Sequence, residues 1–257
     1  MANDIKLGDY NVLRVKELAR REGYGEVFGL YLEGGREGDI LMPQKYVPEH
    51  VRVGDEITCF IYLDQEERPI ATTEQPLAKV GDFAYLECAW VNEYGAFLHW
   101  GLTKDLFCPF REQKRKMEIG NRYIVHVHID EESYRIVASA KVERYLHEDM
   151  SAKHFKRNEE VDILIWQKTE LGFKVIVNNQ YPGLIYQDQI FKSIHTGDRM
   201  KAYVAQLRTD GKLDIALQPI GIAAAEDFSS VLLRYLKENN GYCVLGDKSD
   251  PEAIKHQ

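Results

Sequence analysis

Apolar and polar residues alternate along most of this chain, in short runs separated by Gly-Asp and Gly-Asn turns. Alternation with a period of two predicts β-strands that bury one face and expose the other. The central segment shows this order in full: an apolar strand from Phe83 to Val91, the stretch Tyr94 to Leu98, and further runs at 104–109, 123–129 and 135–139. The pattern predicts a small β-barrel in the middle of the chain.

The same order of elements occurs three times, and glycines mark the equivalent positions. Two sets of glycines recur at intervals of 66 and 77 residues, namely Gly29, Gly95 and Gly172, and Gly54, Gly120 and Gly197. Because the interval is irregular and the chain has 257 residues, separate barrels in tandem are favoured over a solenoid. We predict barrels at residues 1–75, 76–143 and 144–218.

Three stretches depart from the strand pattern. The charged stretch Lys16 to Glu22 predicts either a short helix or the tip of a long hairpin, and residues 142–156 predict a short helix between the second and third barrels. After residue 219 the apolar positions take helical spacing, so we expect a helix at about Glu226 to Glu238, followed by a short strand and the start of another helix. We expect this tail, 219–257, to be a partial domain of a shortened chain.

The central barrel resembles the S1 RNA-binding domain, a β-barrel of the OB type. The tail resembles the opening of a winged-helix domain, and the whole chain resembles a family of bacterial RNA-binding proteins, the conserved virulence factor B or YitL type. Four segments carry this resemblance: Phe28 to Gly35, Lys104 to Arg111, Tyr235 to Lys237, and Asp247 to Glu252. The resemblance implies a mainly β fold of three tandem S1/OB-fold barrels with an α-rich winged-helix-like tail. It also implies a cytoplasmic RNA binder that influences the expression of other genes.

The stretch around Gly95 is the first candidate for a binding surface. Alternation places Ala96 and Leu98 inside the barrel and Phe97 outside, and a bulge at Gly95 would bring Tyr94 to the same outer face. Exposed aromatic rings on a small barrel form a platform on which single-stranded bases stack. The alternative, that both rings belong to the core, stays open at this point.

Charge separates the three copies. The chain carries a formal charge of −8, and copy one, with nine basic and fifteen acidic residues, accounts for −6 of it. Copy two has a net charge of −1 and copy three of +1, so these two are the better partners for phosphate. In copy two the further candidates for RNA contacts are Arg111, Arg115, Lys116, His126, His128, Asp130 and Arg135.

The other two copies offer weaker candidates. Phe28 and Tyr31 stand at the aromatic positions of the family in copy one, but they lie in an acidic domain that can equally be a spacer. Copy three has Leu171 in place of the first aromatic residue and Lys174 in place of Phe97. Lys174 and Tyr186 are its candidates for contacts along an RNA backbone.

Several other functions find little support. No phosphate-binding loop, nucleophile elbow or zinc-protease motif is found, so we predict a protein that is not an enzyme and needs no cofactor or metal. Cys59, Cys88 and Cys108 lie in apolar runs and are predicted to be buried free thiols. The sequence contains no run of about 18 apolar residues, the length that would predict a membrane-spanning helix. The expected partner is single-stranded RNA, with DNA as a second possibility; the alternatives are a protein-interaction scaffold or an accessory subunit of a ribonuclease.

Overall fold

The computed structural model describes residues 4–21, 25–147, 155–210, 212–221 and 233–237. The chain forms two compact units, Met1–Leu146 and His147–Gln257. The first unit holds two closed five-stranded barrels and the second unit holds one. The prediction of three tandem barrels in a mainly β fold is confirmed. None of the helices in the described ranges is long and apolar enough to cross a membrane.

Each barrel is built from five strands in chain order. Barrel 1 contains β1 (Tyr10–Arg20), β2 (Val27–Glu33), β3 (Asp39–Pro43), β4 (Glu56–Leu63) and β5 (Pro69–Thr72). Barrel 2 contains β6 (Phe83–Val91), β7 (Gly95–His99), β8 (Leu106–Pro109), β9 (Arg122–Ile129) and β10 (Ile136–Ser139). Barrel 3 contains β11 (Glu160–Thr169), β12 (Gly172–Val177), β13 (Tyr181–Tyr186), β14 (Arg199–Leu207) and β15 (Leu213–Ala216).

Short 3₁₀ helices connect several of these strands. Those in the described ranges are Gly35–Glu37, Gln44–Tyr46, Phe110–Glu112, Val142–Tyr145 and Gln187–Gln189.

All three barrels share one topology. The first three strands form an antiparallel meander, the third pairs in parallel with the fifth, and the fourth closes the barrel against the first. This is the five-stranded arrangement of the OB fold. The internal repeat predicted from the glycine positions therefore corresponds to a repeated strand topology.

The recurring glycines have a steric cause. Gly29, Gly95 and Gly172 each lie where the second strand crosses the third, and a Cβ there would stand 2.0–2.4 Å from a backbone carbonyl oxygen of the third strand. Since real Cβ atoms do not approach oxygen so closely, only glycine allows this pairing. The second set, Gly54, Gly120 and Gly197, adopts φ values of 95°, 81° and 98°, the left-handed region that glycine occupies without strain.

The bulge predicted at Gly95 is wrong, because the pairing of β7 with β8 runs without interruption from Gly95 to Leu98. The register shift lies instead in β6, between Cys88 and Trp90. Barrels 1 and 3 carry a shift at the equivalent place in their first strands. The bulge thus belongs to the strand that pairs with β7.

The stretches outside the strand pattern have mixed outcomes. The charged stretch in copy one extends β1, which pairs with β2 up to Arg20, so the hairpin alternative holds. Between the second and third barrels only the single 3₁₀ turn Val142–Tyr145 forms before residue 148, and residues 148–154 lie outside the described ranges. In the tail, residues 233–237 are helical, and the rest of the predicted helix and strand lies outside the described residues.

Each barrel buries its own apolar interior, and the core of barrel 2 includes two buried side chains of barrel 1, Phe60 and Tyr62, and packs against a third, Ile70. The ring of Phe60 meets the ring of Trp100 edge to face, with centroids 6.0 Å apart. Three cysteines, Cys59, Cys88 and Cys108, are free and buried as predicted. Burial raises the pKa of the Cys59 and Cys108 thiols to about 12.

Candidate nucleic-acid interface

A row of three aromatic rings crosses the outer face of barrel 2. Trp90 of β6 is the register partner of Phe97 of β7, and Phe97 is the partner of Phe107 of β8. The Trp90 and Phe97 rings stack with centroids 3.7 Å apart and an angle of 3°, and the Phe107 ring lies 4.9 Å from Phe97. We call these three side chains the aromatic row.

Alternation along β7 puts Phe97 on this outer face. Its neighbours Ala96 and Leu98 are fully buried in the barrel core, whereas Phe97 is only half-buried. The prediction that Ala96 and Leu98 point inward and Phe97 outward is confirmed. Phe97 is therefore not a core residue, although its ring has one face covered by Trp90.

Tyr94 stands at the edge of the row, in the turn between β6 and β7. The side-chain oxygen of Asn92 accepts hydrogen bonds from the backbone N–H groups of Tyr94 (2.9 Å) and Gly95 (3.1 Å), which fixes the turn. The Tyr94 side chain is 66% exposed, and Trp90 is 43% exposed. Two aromatic side chains at the row are thus open to a ligand.

Trp90 is held in place by its polar group. The indole Nε1 donates a hydrogen bond to Oδ2 of Asp105 at 3.1 Å, while the ring stacks on Phe97. A large ring that is anchored at two points loses little entropy when a base stacks on it. Trp90 and Phe107 were missed by sequence reasoning, although both belong to the row.

The equivalent rows in the other barrels are not aromatic throughout. Barrel 1 places Glu17, Tyr31 and Leu41 in the same three register positions. Barrel 3 places Gln167, Lys174 and Leu184 there. At the edge position of Tyr94 the other barrels have the exposed side chains Phe28 and Leu171. A continuous stacking surface is therefore a property of barrel 2 among the three.

Two of the predicted cations in barrel 2 are engaged with carboxylates. Arg111 contacts Asp130 at 2.5 Å and Glu132 at 2.8 Å, and Arg135 lies 3.3 Å from Glu67 of barrel 1. A hydrogen bond from the Ser133 hydroxyl, together with the Arg111 charge, holds the pKa of Asp130 below its usual value. A phosphate at this place must compete with these carboxylates.

A basic run follows β8 and comprises Arg111, Lys114, Arg115 and Lys116. Arg115 and Lys116 are exposed, and Nζ of Lys116 lies 5.7 Å from the centroid of the Phe110 ring. The backbone N–H of Phe110 donates to the carbonyl oxygen of Tyr94 at 3.2 Å. The basic run is thereby joined to the Tyr94 end of the aromatic row.

His126 and His128, two of the candidates for RNA contacts, do not lie on an open face of barrel 2. The His126 side chain is buried beside Phe83 and stacks on Tyr145, with ring centroids 4.0 Å apart. His128 is half-buried and its Nε2 lies 3.1 Å from the Tyr145 hydroxyl. The 3₁₀ turn after β10 supplies Tyr145, which covers this face of β9.

Burial has consequences for both histidines. It lowers the pKa of His126 to about 4 and also lowers the pKa of His128. Neutral, covered rings are poor partners for phosphate. Within the described ranges, no group of three or more His, Cys, Asp or Glu side chains lies close enough to hold a metal ion.

Barrel 3 places its two candidates on the corresponding strands. Lys174 is exposed, with Nζ 5.3 Å from the centroid of the Trp166 ring. Tyr186 is half-buried, and Nη1 of Arg208 donates to its hydroxyl at 3.5 Å. Arg208 itself is paired with Asp210 at 2.9 Å. Tyr186, Arg208 and Asp210 thus form a small polar cluster.

Comparison with known proteins agrees with the fold. Residues 7–74, in barrel 1, match the model of an S1 domain, and residues 230–257 match the model of a CvfB-like winged helix domain. The chain therefore combines three barrels of one topology, the first of them similar to S1 domains, with a C-terminal segment similar to the CvfB-like winged helix domain.

Similar proteins include YitL and conserved virulence factor B, so the resemblance stated in the sequence analysis is confirmed. YitL of Bacillus subtilis, an uncharacterized protein, is 25% identical over 236 residues, which cover 90% of this chain and 78% of YitL. Conserved virulence factor B of Staphylococcus aureus is 22% identical over 247 residues, covering 90% of this chain and 81% of the relative. A solved structure, a multidomain protein with nucleic acid binding domains from Streptococcus pneumoniae, is 20% identical in sequence. The alignment covers 97% of this chain and 87% of that protein, with a TM-score of 0.44.

Proposed function

We propose that this protein binds single-stranded RNA through the outer face of barrel 2. The observation that carries the proposal is the aromatic row Trp90, Phe97 and Phe107, with the exposed Tyr94 at its edge. Stacking on such rings suits unpaired bases of any sequence, because every base has a π-face, whereas paired bases keep their faces within the duplex.

Electrostatics favours the same barrel over barrel 1. Barrel 2 is nearly neutral and presents Arg115 and Lys116 as exposed cations, Lys116 beside the Phe110 ring, whereas the first 75 residues carry a net −6. Phosphate neutralisation supplies a large part of the affinity of nucleic-acid binders. We infer that Phe28 and Tyr31 in barrel 1, and Lys174 and Tyr186 in barrel 3, make smaller contributions.

The biological role that fits this binding is post-transcriptional control of gene expression. The S1 match and the similarity to conserved virulence factor B support it. The matched domains are S1 and winged-helix domains, so a non-catalytic RNA binder is the reading they support.

The test is a set of single substitutions measured by fluorescence anisotropy with a labelled single-stranded RNA. Trp90→Ala and Phe97→Ala should each weaken binding by about 1–3 kcal/mol, the value of one stacked base. Both variants should keep the fold, since neither side chain belongs to the buried core. Competition with single-stranded DNA and with duplex RNA then defines the preferred strand.

Matched controls come from exposed aromatic residues elsewhere. Phe28→Ala removes the ring at the Tyr94 position of barrel 1, and Phe191→Ala removes an exposed ring of barrel 3. Both should change affinity by less than Phe97→Ala does. Unchanged RNA affinity in a folded Trp90/Phe97 double variant would refute the proposal and favour a protein-interaction scaffold.

A further inference from the structure

A cavity of about 480 Å³ lies between barrels 1 and 2, within the unit formed by residues 1–146. On barrel 2 it is lined by Phe97, Phe107 and Val137, which belong to the neighbouring strands β7, β8 and β10. On barrel 1 it is lined by Tyr62, Leu63 and Glu67. We call this cavity the inter-barrel slot; two of the three rings of the aromatic row open into it.

Polar contacts between the two barrels hold the slot open in a fixed shape. Lys104 of barrel 2 donates to the carbonyl oxygen of Asp64 at 2.7 Å and contacts Oε1 of Glu67 at 3.2 Å. Arg135 approaches Oε2 of the same carboxylate at 3.3 Å. The slot is therefore preformed, and a ligand that enters it does not bear the cost of ordering the two barrels.

The lining combines flat apolar surface with a few polar groups. Phe97, Phe107 and the exposed Tyr94 provide ring faces, and Asn92, whose Oδ1 already accepts two backbone N–H groups, has its amide NH₂ to offer. Lys104 and Arg135 line the same place, but so do Glu67, which contacts both, and Asp105, so positive and negative side chains are balanced there. A ligand that matches has a flat heteroaromatic ring with hydrogen-bonding groups along its edge.

We propose that the inter-barrel slot takes one nucleotide of a bound RNA strand, with its base against Phe97 and Phe107. The volume lies within the usual range for small-ligand pockets, roughly 300–1,000 Å³. This inference rests on the proposed function and deepens it, because barrels 1 and 2 then form a single RNA site. Barrel 1 contributes the shape of the slot rather than positive charge.

The test fills the slot from the barrel 1 side and leaves the aromatic row intact. Leu63 lies at the end of β4, half-buried, so Leu63→Trp places a bulky ring in the slot. Affinity for a labelled single-stranded RNA should fall by roughly 5- to 150-fold, the equivalent of losing one stacked base. The matched control is Val53→Trp, which adds the same ring to an exposed position of barrel 1 outside the slot and should leave affinity unchanged.

Phe97→Ala, measured alongside, separates this inference from the proposed function. If Phe97→Ala weakens binding while a folded Leu63→Trp variant binds like the unaltered protein, the slot is not used and the outer face of barrel 2 still is. If both variants bind like the unaltered protein, the proposed function fails.

A second measurement avoids substitution altogether. RNA that carries 4-thiouridine is crosslinked to the unaltered chain, and the crosslinked peptides are identified by mass spectrometry. We expect a crosslink in the peptide that carries residues 62–67 of barrel 1, together with crosslinks in β7 or β8. Crosslinks confined to barrel 2 would overturn the inference.

Discussion

Neighbouring aromatic and imidazole rings on barrel 2 have different surroundings, and these decide which of them can meet a ligand. Phe97 lies on the outer face with its ring against Trp90, and Tyr94 is mostly exposed. His126 has its ring between Phe83 and Tyr145 and is buried. The first two are suited to stacking with bases, whereas His126 takes part in the packing of β9 against the 3₁₀ turn.

The burial of His126 predicts that stability falls in mild acid. Its pKa is about 4 in the folded protein against an ordinary value of 6.5, so between these pH values the unfolded chain takes up a proton that the folded chain does not. The part of the folding stability that depends on a neutral His126 is fully present above pH 6.5, and it is lost progressively as the pH falls toward 4. At pH 5 the loss should be about 2 kcal/mol, and urea unfolding at pH 7 and pH 5 measures it.

Two variants make this prediction specific. His126→Phe keeps a ring that can stack on Tyr145 but cannot titrate, so its loss of stability between pH 7 and pH 5 should be smaller. His50→Gln removes an exposed histidine of barrel 1 and should keep the full loss. An equal loss in His126→Phe and the unaltered protein would show that other groups cause the acid sensitivity.

At this scale the sequence predicted the orientation of Phe97 but not the identity of its partners. Phe107 could have been found, because it stands between the inward-facing Leu106 and Cys108. Trp90 could not be found by alternation, since Leu86 and Cys88 are buried and strict alternation would place Trp90 inside as well. The register shift after Cys88 reverses the side, and the sequence carries no clear signal for that bulge.

The strand pairs of the three barrels follow one plan but present different side chains. The glycine at the crossing of the second and third strands, the bulge in the first strand and the parallel closing pair all recur. The sequence predicted the strands and the glycines because alternation and spacing are local properties. Which side chains become register partners across the sheet depends on the shift in the first strand of each barrel. Only the structure therefore shows that Trp90 of barrel 2 occupies the position held by Glu17 in barrel 1 and Gln167 in barrel 3.

The crossing at Gly95 predicts a substitution that damages both fold and binding. In Gly95→Ala the new Cβ would stand 2.4 Å from the carbonyl oxygen of Cys108, so β7 and β8 must separate. We expect a loss of stability of about 1–3 kcal/mol. We also expect weaker RNA binding, because Phe97 then moves relative to Phe107. Urea unfolding and anisotropy measure the two effects.

Gly120→Ala is the matched control for that substitution. Gly120 has a φ of 81°, and its Cβ would meet nothing within 4 Å, so alanine adds only backbone strain of about 1–2 kcal/mol. Its RNA affinity should stay unchanged. A Gly95→Ala variant that binds RNA like Gly120→Ala would show that the contact of β7 with β8 does not position the binding surface.

On the scale of the whole molecule, the negative charge is distributed unevenly along the chain. A protein with a formal charge of −8 is an unusual partner for RNA, but the whole of the excess lies in the first 75 residues and in the tail. Barrel 1 also directs Glu67 toward Lys104 and Arg135 of barrel 2, so that both cations at the slot already have a carboxylate partner. The exposed cations Arg115 and Lys116 then become the principal candidates in barrel 2 for free phosphate contacts.

The salt dependence of RNA binding tests this assignment. Replacing Arg115 and Lys116 together by glutamine should weaken binding to all RNA sequences alike, because phosphates carry no sequence information. Each phosphate contact on a single strand contributes about −0.7 to the slope of log K against log salt, so the slope should become shallower by about 1.4. Anisotropy titrations at several salt concentrations measure it.

The matched control replaces Arg21 and Arg52, two exposed arginines of barrel 1, by glutamine and should leave the slope unchanged. If the control pair flattens the slope as much as the Arg115 and Lys116 pair does, the two basic residues act through the overall charge of the protein and not through contacts with the strand.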